Sequence, residues 1–202
     1  MKTVAAFDFD GTLSTRDNLI PFLRRVAGTA KVNRALAAAV PALLAGRRNR
    51  AKAIVIRHAL AGRSAAEVER IGEEFAARVV VRHLRPDVVA RAGWHRRQGH
   101  ALVIVSASLV PYVAPIGREL GFDAVLATEI EVHERICTGR FDGWNVRGRE
   151  KVRRLDAWLG DEPAFVWAYG NSRGDRALLA RADRPVRVTR KRIEAEPNPP
   201  IP

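Results

Sequence analysis

Short apolar runs recur along the chain, most of them in its second half. Each run is almost free of charge, which is typical of a strand buried on both faces of a sheet. The predicted strands are residues 3–7, 101–105, 123–127, 164–168 and 185–189. The stretches between them predict helices over 86–98, 111–120, 149–159 and 174–181, and a hairpin over 129–133 and 136–141. Strands that alternate with helices form a parallel sheet covered on both faces, so the pattern predicts an α/β fold.

The stretch from residue 14 to residue 85 breaks this alternation, because it contains helical patterns only. Its predicted helices are 18–27, 30–45, 49–61 and 64–82. Glycines follow the first three of them, and Gly is favoured where a helix ends. We therefore predict an α/β core made of residues 1–13 and 86–202, with residues 14–85 inserted as a helical unit.

The composition of the chain indicates which class of protein it belongs to. A chain of 202 residues with 47% apolar and 28% charged residues is typical of one folded domain that carries an insertion. The longest apolar stretch, 35–45, is shorter than the roughly 20 residues of a membrane-spanning helix. The first residues lack the apolar segment of a signal peptide, and the single Cys137 excludes a disulfide within one chain. We therefore expect a cytoplasmic protein.

Positive charge is concentrated in the insertion. The chain has 35 Lys and Arg residues against 22 Asp and Glu residues, a net charge of +13. Residues 14–85 hold 15 of these basic residues and five of the acidic ones, with no acidic residue between Asn18 and Ala66. Two explanations stay open, a solvated helical face or a surface that meets an anionic membrane. Nucleic acid is a less favoured partner, because Phe22 is the one aromatic residue in that stretch and no binding motif is present.

Two carboxylates at positions i and i+2 follow the first predicted strand. On extended backbone this spacing points Asp8 and Asp10 to the same side. Gly11 permits a sharp turn, and Thr12 can close the loop with a hydrogen bond. One carboxylate can act as a nucleophile and the other as an acid and base. Their mutual repulsion implies a divalent cation.

The segment FDFDGTLS resembles the first motif, Asp-x-Asp-x-Thr, of the haloacid dehalogenase-like (HAD) phosphatases, and three further motifs follow in order. Ser106 in VIVSAS resembles the second motif, and Lys151 in GREKV resembles the third. Asn171 and Asp175 in YGNSRGD resemble the fourth. A helical insertion directly after the first motif is similar to the cap of the phosphoserine-phosphatase-like branch. The resemblance covers nearly the whole chain and implies a Rossmann-like parallel sheet with a helical cap.

The predicted topology agrees with this resemblance. Asp8, Ser106 and Asn171 each come directly after a predicted strand. Ligands of open parallel sheets bind at the carboxyl ends of the strands. We therefore expect these three distant segments to meet at one edge of the sheet.

The resemblance implies a role for each of these side chains. Asp8 would be the nucleophile that takes the phosphoryl group, and Asp10 would be the general acid and base. Three side chains would bind the substrate phosphate, those of Thr12, Ser106 and Lys151. Such a site works mainly by positioning the phosphoryl group and neutralising its charge.

The same resemblance implies a Mg²⁺ ion held by Asp8, the carbonyl oxygen of Asp10, Asn171 and Asp175. The family usually has Asp at the position of Asn171, whose amide oxygen can bind Mg²⁺ but brings no charge. Asp17 has two open interpretations. It would read a substrate amine, as an acidic residue does in phosphoserine phosphatases, or it would cap the helix that follows.

These motifs predict a Mg²⁺-dependent phosphomonoesterase that acts on a small phosphorylated metabolite similar to phosphoserine. Two alternatives stay open. An apolar stretch beside basic residues over 35–50 is similar to the cap of HAD-type phosphatidylglycerophosphate phosphatases, which predicts a lipid head group as the substrate. The uncharged Asn171 leaves the other alternative, a basic membrane- or nucleic-acid-binding protein with a weakened active site.

Overall fold

The computed structural model describes residues 2–189 and 193–194, and its centre is a seven-stranded sheet. The strands are β1 (Lys2–Phe7), β2 (Ala101–Leu109), β3 (Ala124–His133), β4 (Ile136–Asp142), β5 (Ala164–Gly170), β6 (Arg184–Val188) and β7 (Ile193–Glu194). Their order across the sheet is β4-β3-β2-β1-β5-β6-β7. The five central strands are parallel, and the edge strands β4 and β7 are antiparallel to their neighbours. The predicted α/β fold is therefore confirmed.

The helices occupy the predicted stretches. Within the insertion they are α1 (Leu19–Ala27), α2 (Thr29–Leu44), α3 (Arg48–Leu60) and α4 (Ala65–His83). The later helices are α5 (Pro86–Arg97), α6 (Val110–Glu119), α7 (Arg149–Leu159) and α8 (Arg176–Arg181), with a 3-10 turn over Arg173–Asp175 before α8. In the part of the chain that the structure describes, none of these helices has the length and apolarity to cross a bilayer.

Strand β1 is buried on both faces, because strands flank it and helices cover the sheet. Its alternate residues Val4 and Ala6 join one apolar cluster, while Ala5 and Phe7 join a larger cluster that extends into the insertion. The ring of Phe7 also stacks on the ring of Tyr169 in β5, with centroids 4.3 Å apart. This packing fixes the carboxyl end of β1.

The two chain segments that lead into and out of the insertion pair with each other. Thr15 donates its backbone N–H to the carbonyl oxygen of His83 at 2.8 Å, and Arg85 donates to that of Leu13 at 2.9 Å. Ser14 and Leu84 form an antiparallel bridge within this joint. The predicted boundaries at residues 14 and 85 fall on the joint, and the division into two domains there stays a prediction.

Two predicted strands differ from the observed ones. Strand β2 continues past residue 105 to Leu109, although its pairing with β3 shifts register between Ser106 and Leu109. The predicted strand 123–127 and the first arm of the hairpin are one strand, β3, since the chain stays extended through Thr128 to pair with β4. The end of the predicted core, residues 190–192 and 195–202, lies outside the described residues.

Candidate active site

The carboxyl ends of three adjacent strands bring the predicted site residues together, with β1 between β2 and β5. Asp8 follows β1 directly and donates its backbone N–H to the carbonyl oxygen of Tyr169 at 2.9 Å, while Asn171 follows β5. Ser106 lies inside β2, so the prediction that it follows the strand is wrong. It occupies the point where regular pairing with β3 is interrupted, and it still lines the cavity at this edge.

A buried lysine joins two carboxylates at the centre of the site. Lys151 Nζ donates to Asp8 Oδ1 and to Asp175 Oδ1, both at 2.6 Å, and all three residues are buried. Burial raises the pKa of Asp8, although the charge of Lys151 opposes this. Burial also acts to raise the pKa of Asp175, but Lys151 and Ser172 outweigh it and the pKa is lowered. The two carboxylates in turn raise the pKa of Lys151 against its burial, so its ammonium group stays charged at neutral pH.

Asp175 is also fixed by the loop that follows β5. Its Oδ2 accepts hydrogen bonds from the backbone N–H groups of Asn171, at 3.2 Å, and Ser172, at 2.9 Å. The hydroxyl group of Ser172 donates to the same oxygen at 2.7 Å. The carboxylate therefore holds the loop closed with one oxygen and contacts Lys151 with the other.

Asp10 accepts hydrogen bonds on both of its carboxylate oxygens. Asn18 donates to Oδ1 from its backbone N–H at 3.0 Å and from Nδ2 at 2.8 Å, and the Ser108 hydroxyl group donates to Oδ2. Burial and, secondly, the charge of Asp17 raise the pKa of Asp10 to about 7. A carboxyl group that titrates near neutral pH can both give and take a proton, as general acid–base catalysis requires.

Thr12 contacts the carboxylate of Asp8. Its Oγ1 donates to Asp8 Oδ2 at 3.1 Å, and the residue is fully buried. Thr12 is not among the described residues that line the cavity at this edge of the sheet. The structure therefore shows Thr12 orienting Asp8, and its contact with a phosphate stays a prediction.

The side chain of Asn171 packs directly against Gly11. A Cβ atom on Gly11 would lie 2.0 Å from Asn171 Nδ2, and Gly11 has a φ of +75°. Asn171 Oδ1 is buried and has no hydrogen-bond donor among the described residues. A buried polar atom without a partner costs free energy unless a ligand completes it.

This part of the site contains oxygen atoms of the kind that Mg²⁺ prefers as ligands. They are the unpartnered Asn171 Oδ1 and the carboxylates of Asp8 and Asp175, which share Lys151 as a hydrogen-bond donor. In residues 2–189 and 193–194, no group of three or more His, Cys, Asp or Glu side chains is arranged to hold a metal. A metal site here therefore depends on the Asn171 amide oxygen.

A cavity of about 780 Å³, which we call the catalytic cavity, opens above these side chains. Asp8, Asp10, Ser106 and Lys151 line it, together with residues 171–175. Its other charged residues are Arg16, Asp17, Arg48, Arg85 and Arg147. The excess of arginine side chains favours the entry of an anion.

Asp17 lines the catalytic cavity, as expected of a residue that reads the substrate. It is exposed, and its Oδ1 accepts the backbone N–H of Leu19, the first residue of α1, at 2.9 Å. Its position is compatible with reading a substrate, whereas the predicted N-cap position belongs to Asn18, and Asp17 bonds the first turn of α1 from one residue earlier. The helix itself begins one residue later than predicted, after Asn18.

The residues that the sequence analysis did not predict for the site include Ser108, Asn18 and Lys52, besides the arginine residues of the catalytic cavity. Ser108 and Asn18 hold Asp10, and the Ser-x-Ser spacing of Ser106 and Ser108 could have been recognised, because it parallels that of Asp8 and Asp10. Lys52 reaches the site from α3, where it is one basic residue among many and carries no sequence signal. Burial lowers the pKa of Lys52 to about 7, although the charges of nearby carboxylates oppose this.

The sequence is similar to a known protein family and to a known bacterial protein. The model of a family described as haloacid dehalogenase-like hydrolase matches residues 5–180. The protein CicA of Caulobacter vibrioides is 38% identical over 187 residues, which cover 89% of this chain and 83% of CicA.

Two solved structures have the same fold. A protein with unknown function from Bordetella pertussis superposes with a TM-score of 0.80 at 26% identity, covering 93% of this chain and 90% of its own. A phosphoserine phosphatase, solved as a phospho-aspartyl intermediate analogue, superposes with a TM-score of 0.61 at 18% identity, covering 90% and 83%. The matched residues 5–180 include every side chain of the site described above.

Proposed function

This chain belongs to the haloacid dehalogenase-like hydrolases, and from that premise we propose that it hydrolyses phosphate monoesters with Asp8 as the nucleophile. One observation carries the proposal. The Asp8 carboxylate lies at the catalytic cavity with Lys151 on one oxygen and Thr12 on the other, two residues from a second carboxyl group. The substrate that we propose is a small phosphorylated metabolite.

In the first step an Asp8 oxygen attacks the phosphorus atom, and the bond between phosphorus and the leaving oxygen breaks. Asp10 gives its proton to that oxygen, so the leaving group departs as an alcohol. Lys151 stabilises the charge on the phosphoryl oxygens, and Ser106 provides a hydroxyl donor at the same cavity. The product of this step is an aspartyl-phosphate on Asp8.

In the second step water replaces Asp8 on the phosphorus atom. Asp10, now ionised, takes a proton from the water molecule, and the bond between phosphorus and the Asp8 oxygen breaks. Inorganic phosphate leaves and both carboxyl groups return to their starting states. The hydrogen bonds from Asn18 and Ser108 hold Asp10 in place for both transfers.

We propose that Asp8, Asp175, Asn171 and the carbonyl oxygen of Asp10 hold Mg²⁺ during the reaction. The bound ion would supply positive charge that neutralises the phosphate. The unpartnered Asn171 Oδ1 supports this ligand set, because an ion would complete a buried oxygen that lacks a donor among the described residues.

The test is phosphate release by the wild type and by Asp8→Asn, with Mg²⁺ and with a chelator, on phosphoserine, histidinol phosphate and sugar phosphates. We expect Asp8→Asn to lower turnover by roughly 10³-fold or more while the fold is kept, because the amide is not a nucleophile.

Asp161→Asn, on an exposed residue, is the matched control and should keep wild-type turnover. Circular dichroism of each variant checks the fold. Turnover that survives in Asp8→Asn would disprove the nucleophile assignment. Turnover that is unchanged by the chelator would disprove the Mg²⁺ site.

A further inference from the structure

A second cavity of about 330 Å³, which we call the side cavity, lies beside the catalytic cavity. Helices α1, α2 and α3 supply most of its walls. The two cavities have lining residues in common, namely Asp10, Asp17, Arg48, Ala107, Ser108 and Arg147. A molecule whose phosphate lies at Asp8 can therefore extend past Asp10, the proposed acid, into the side cavity.

The side cavity has a mostly apolar wall, unlike the catalytic cavity. Its apolar residues are Leu19, Ile20, Leu36, Ala39, Leu43, Ala51, Val55 and Ala107. Such a wall gains free energy when it covers apolar surface and gives no hydrogen bonds to a compact polar group. The wall therefore favours a leaving group with a hydrocarbon chain or ring.

Lys52 lines the side cavity together with Arg48 and Arg147. Lys52 Nζ donates to Asn145 Oδ1 at 2.6 Å and to the carbonyl oxygen of Ala107. Asn145 is itself held by Thr128 and Asn49, so these acceptors are fixed. An ammonium group has three donors, and among the described residues Lys52 has neither a third acceptor nor a carboxylate within ion-pair distance; its Nζ lies 5.5 Å from the centre of the Phe141 ring. The remaining donor can bind an acceptor group on a ligand.

We propose that the side cavity is the leaving-group pocket, and that the substrate is the phosphate ester of an apolar alcohol with a hydrogen-bond acceptor, such as a carboxylate, that reaches Lys52. This inference rests on the proposed function and narrows its substrate class. Three basic residues, Lys52, Arg48 and Arg147, line the side cavity against the carboxyl groups of Asp10 and Asp17, so the balance of charge favours an acceptor group over an ammonium group. The leaving group of phosphoserine, which is serine, is too small to cover the apolar wall of the side cavity.

The first experiment compares ethyl, butyl and hexyl phosphate as substrates of the wild type. Each methylene group that enters the pocket should raise kcat/KM about threefold, so hexyl phosphate should exceed ethyl phosphate by at least about tenfold. Leu43→Trp, at a half-exposed residue of the wall, should lower this ratio towards one. Leu44→Trp is the matched control, because Leu44 is 84% exposed and lies outside the described lining residues, and it should keep the wild-type ratio.

The second experiment tests Lys52 with Lys52→Met, which keeps an unbranched side chain and removes the charge. The readout is the ratio of kcat/KM for 6-phosphooxyhexanoate to kcat/KM for hexyl phosphate. We expect this ratio to fall about tenfold in Lys52→Met. A ratio that stays at the wild-type value would overturn the role of Lys52.

Calorimetry with ethylphosphonate and hexylphosphonate, which are not hydrolysed, separates this proposal from the proposed function. Tighter binding of hexylphosphonate that Leu43→Trp abolishes supports the pocket, even if no ester is turned over. Turnover of all three esters at equal rates, with equal affinity for the two phosphonates, overturns the pocket and leaves the phosphatase function intact.

Discussion

Gly11 shows how one residue without a side chain shapes this site. Its φ of +75° is in the region that other residues rarely adopt, and the Asn171 side chain occupies the place of a Cβ atom. Asn171 Oδ1 is the buried oxygen that we assign to the metal site. The choice of residue at position 11 therefore decides where a residue 160 positions later puts its amide group.

Gly11→Ala should be more destabilising than an alanine at another glycine with the same backbone conformation. Gly46 has a φ of +70° and no atom within 4 Å of the place that a Cβ would take, so Gly46→Ala carries the backbone cost alone, roughly 1 kcal/mol. We expect Gly11→Ala to lose at least about twice as much free energy of unfolding in urea, and to bind Mg²⁺ more weakly. Equal losses in the two variants would contradict the contact with Asn171.

At the scale of elements, His95 connects α5 to β5 beneath the site. The residue is fully buried, with Nε2 2.8 Å from the hydroxyl oxygen of Tyr169 and Nδ1 2.8 Å from Nδ1 of His100. Burial, with smaller effects of His100 and Arg91, lowers the pKa of His95 to about 3. The same Tyr169 accepts the backbone N–H of Asp8 with its carbonyl oxygen, so this connection supports the position of Asp8, the proposed nucleophile.

This buried histidine should make the protein less stable in mild acid. Between pH 6.5 and about 3 the unfolded chain binds a proton at His95 that the folded chain does not, so stability falls as the pH falls. From pH 7.5 to pH 5 we expect the wild type to lose about 2 kcal/mol more than His95→Gln, measured by urea unfolding. His133→Gln, on an exposed residue, should behave as the wild type does. Parallel pH profiles for wild type and His95→Gln would refute this assignment.

The end of α2 is the most apolar exposed part of the insertion. We call Val40, Leu43 and Leu44 the α2 tip; their exposed fractions are 45%, 49% and 84%. Three arginines follow directly, at positions 47, 48 and 50, and all are exposed. Apolar side chains beside basic ones suit the surface of an anionic membrane, so contact with such a surface stays a prediction for this element.

Charge reversal of Arg47, Arg48 and Arg50 to glutamate should weaken binding to vesicles that contain anionic lipid. Each arginine near such a surface contributes about 1 kcal/mol, so cosedimentation should fall by well over tenfold. A control protein with Arg25, Arg78 and Arg82 changed to glutamate has the same net charge, with the exposed changes on α1 and α4. Equal losses in both proteins would indicate a general charge effect, and no loss in either would assign these arginines to a solvated face.

At the scale of the whole molecule, the sequence predicts the strands, the helices and the fold class more completely than it predicts the contacts between distant residues. The apolar runs and helical stretches predict the α/β fold, because burial on two faces leaves a clear pattern in the sequence. The four motifs predict the cluster of Asp8, Lys151 and Asp175. The sequence does not predict that the half-buried Lys52 lines the same cavity as Asp10, since long-range packing of α3 against β4 places it there. It also misses the continuation of β2 beyond Ser106, where polar residues remain extended.

The pairing of the two chain segments at the base of the insertion affects how readily the length of the inserted helices can change during evolution. The two chain segments of the joint run side by side. The backbone N–H of Arg85 donates to the carbonyl oxygen of Leu13, and that of Thr15 donates to the carbonyl oxygen of His83. In terms of chain entropy, the four helices are therefore similar to a long loop whose two ends are held together at the sheet. The entropy of closing a loop grows only slowly, by about 0.6 kcal/mol for each doubling of its length. Changing the length of α2 or α3 would accordingly add little loop entropy at this joint, whereas α1 is tied to the sheet by the bonds of Asn18 to Asp10 and by the shared apolar cluster. The pocket of the proposed leaving group can therefore vary at α2 and α3 while the proposed reaction chemistry around Asp8 is kept.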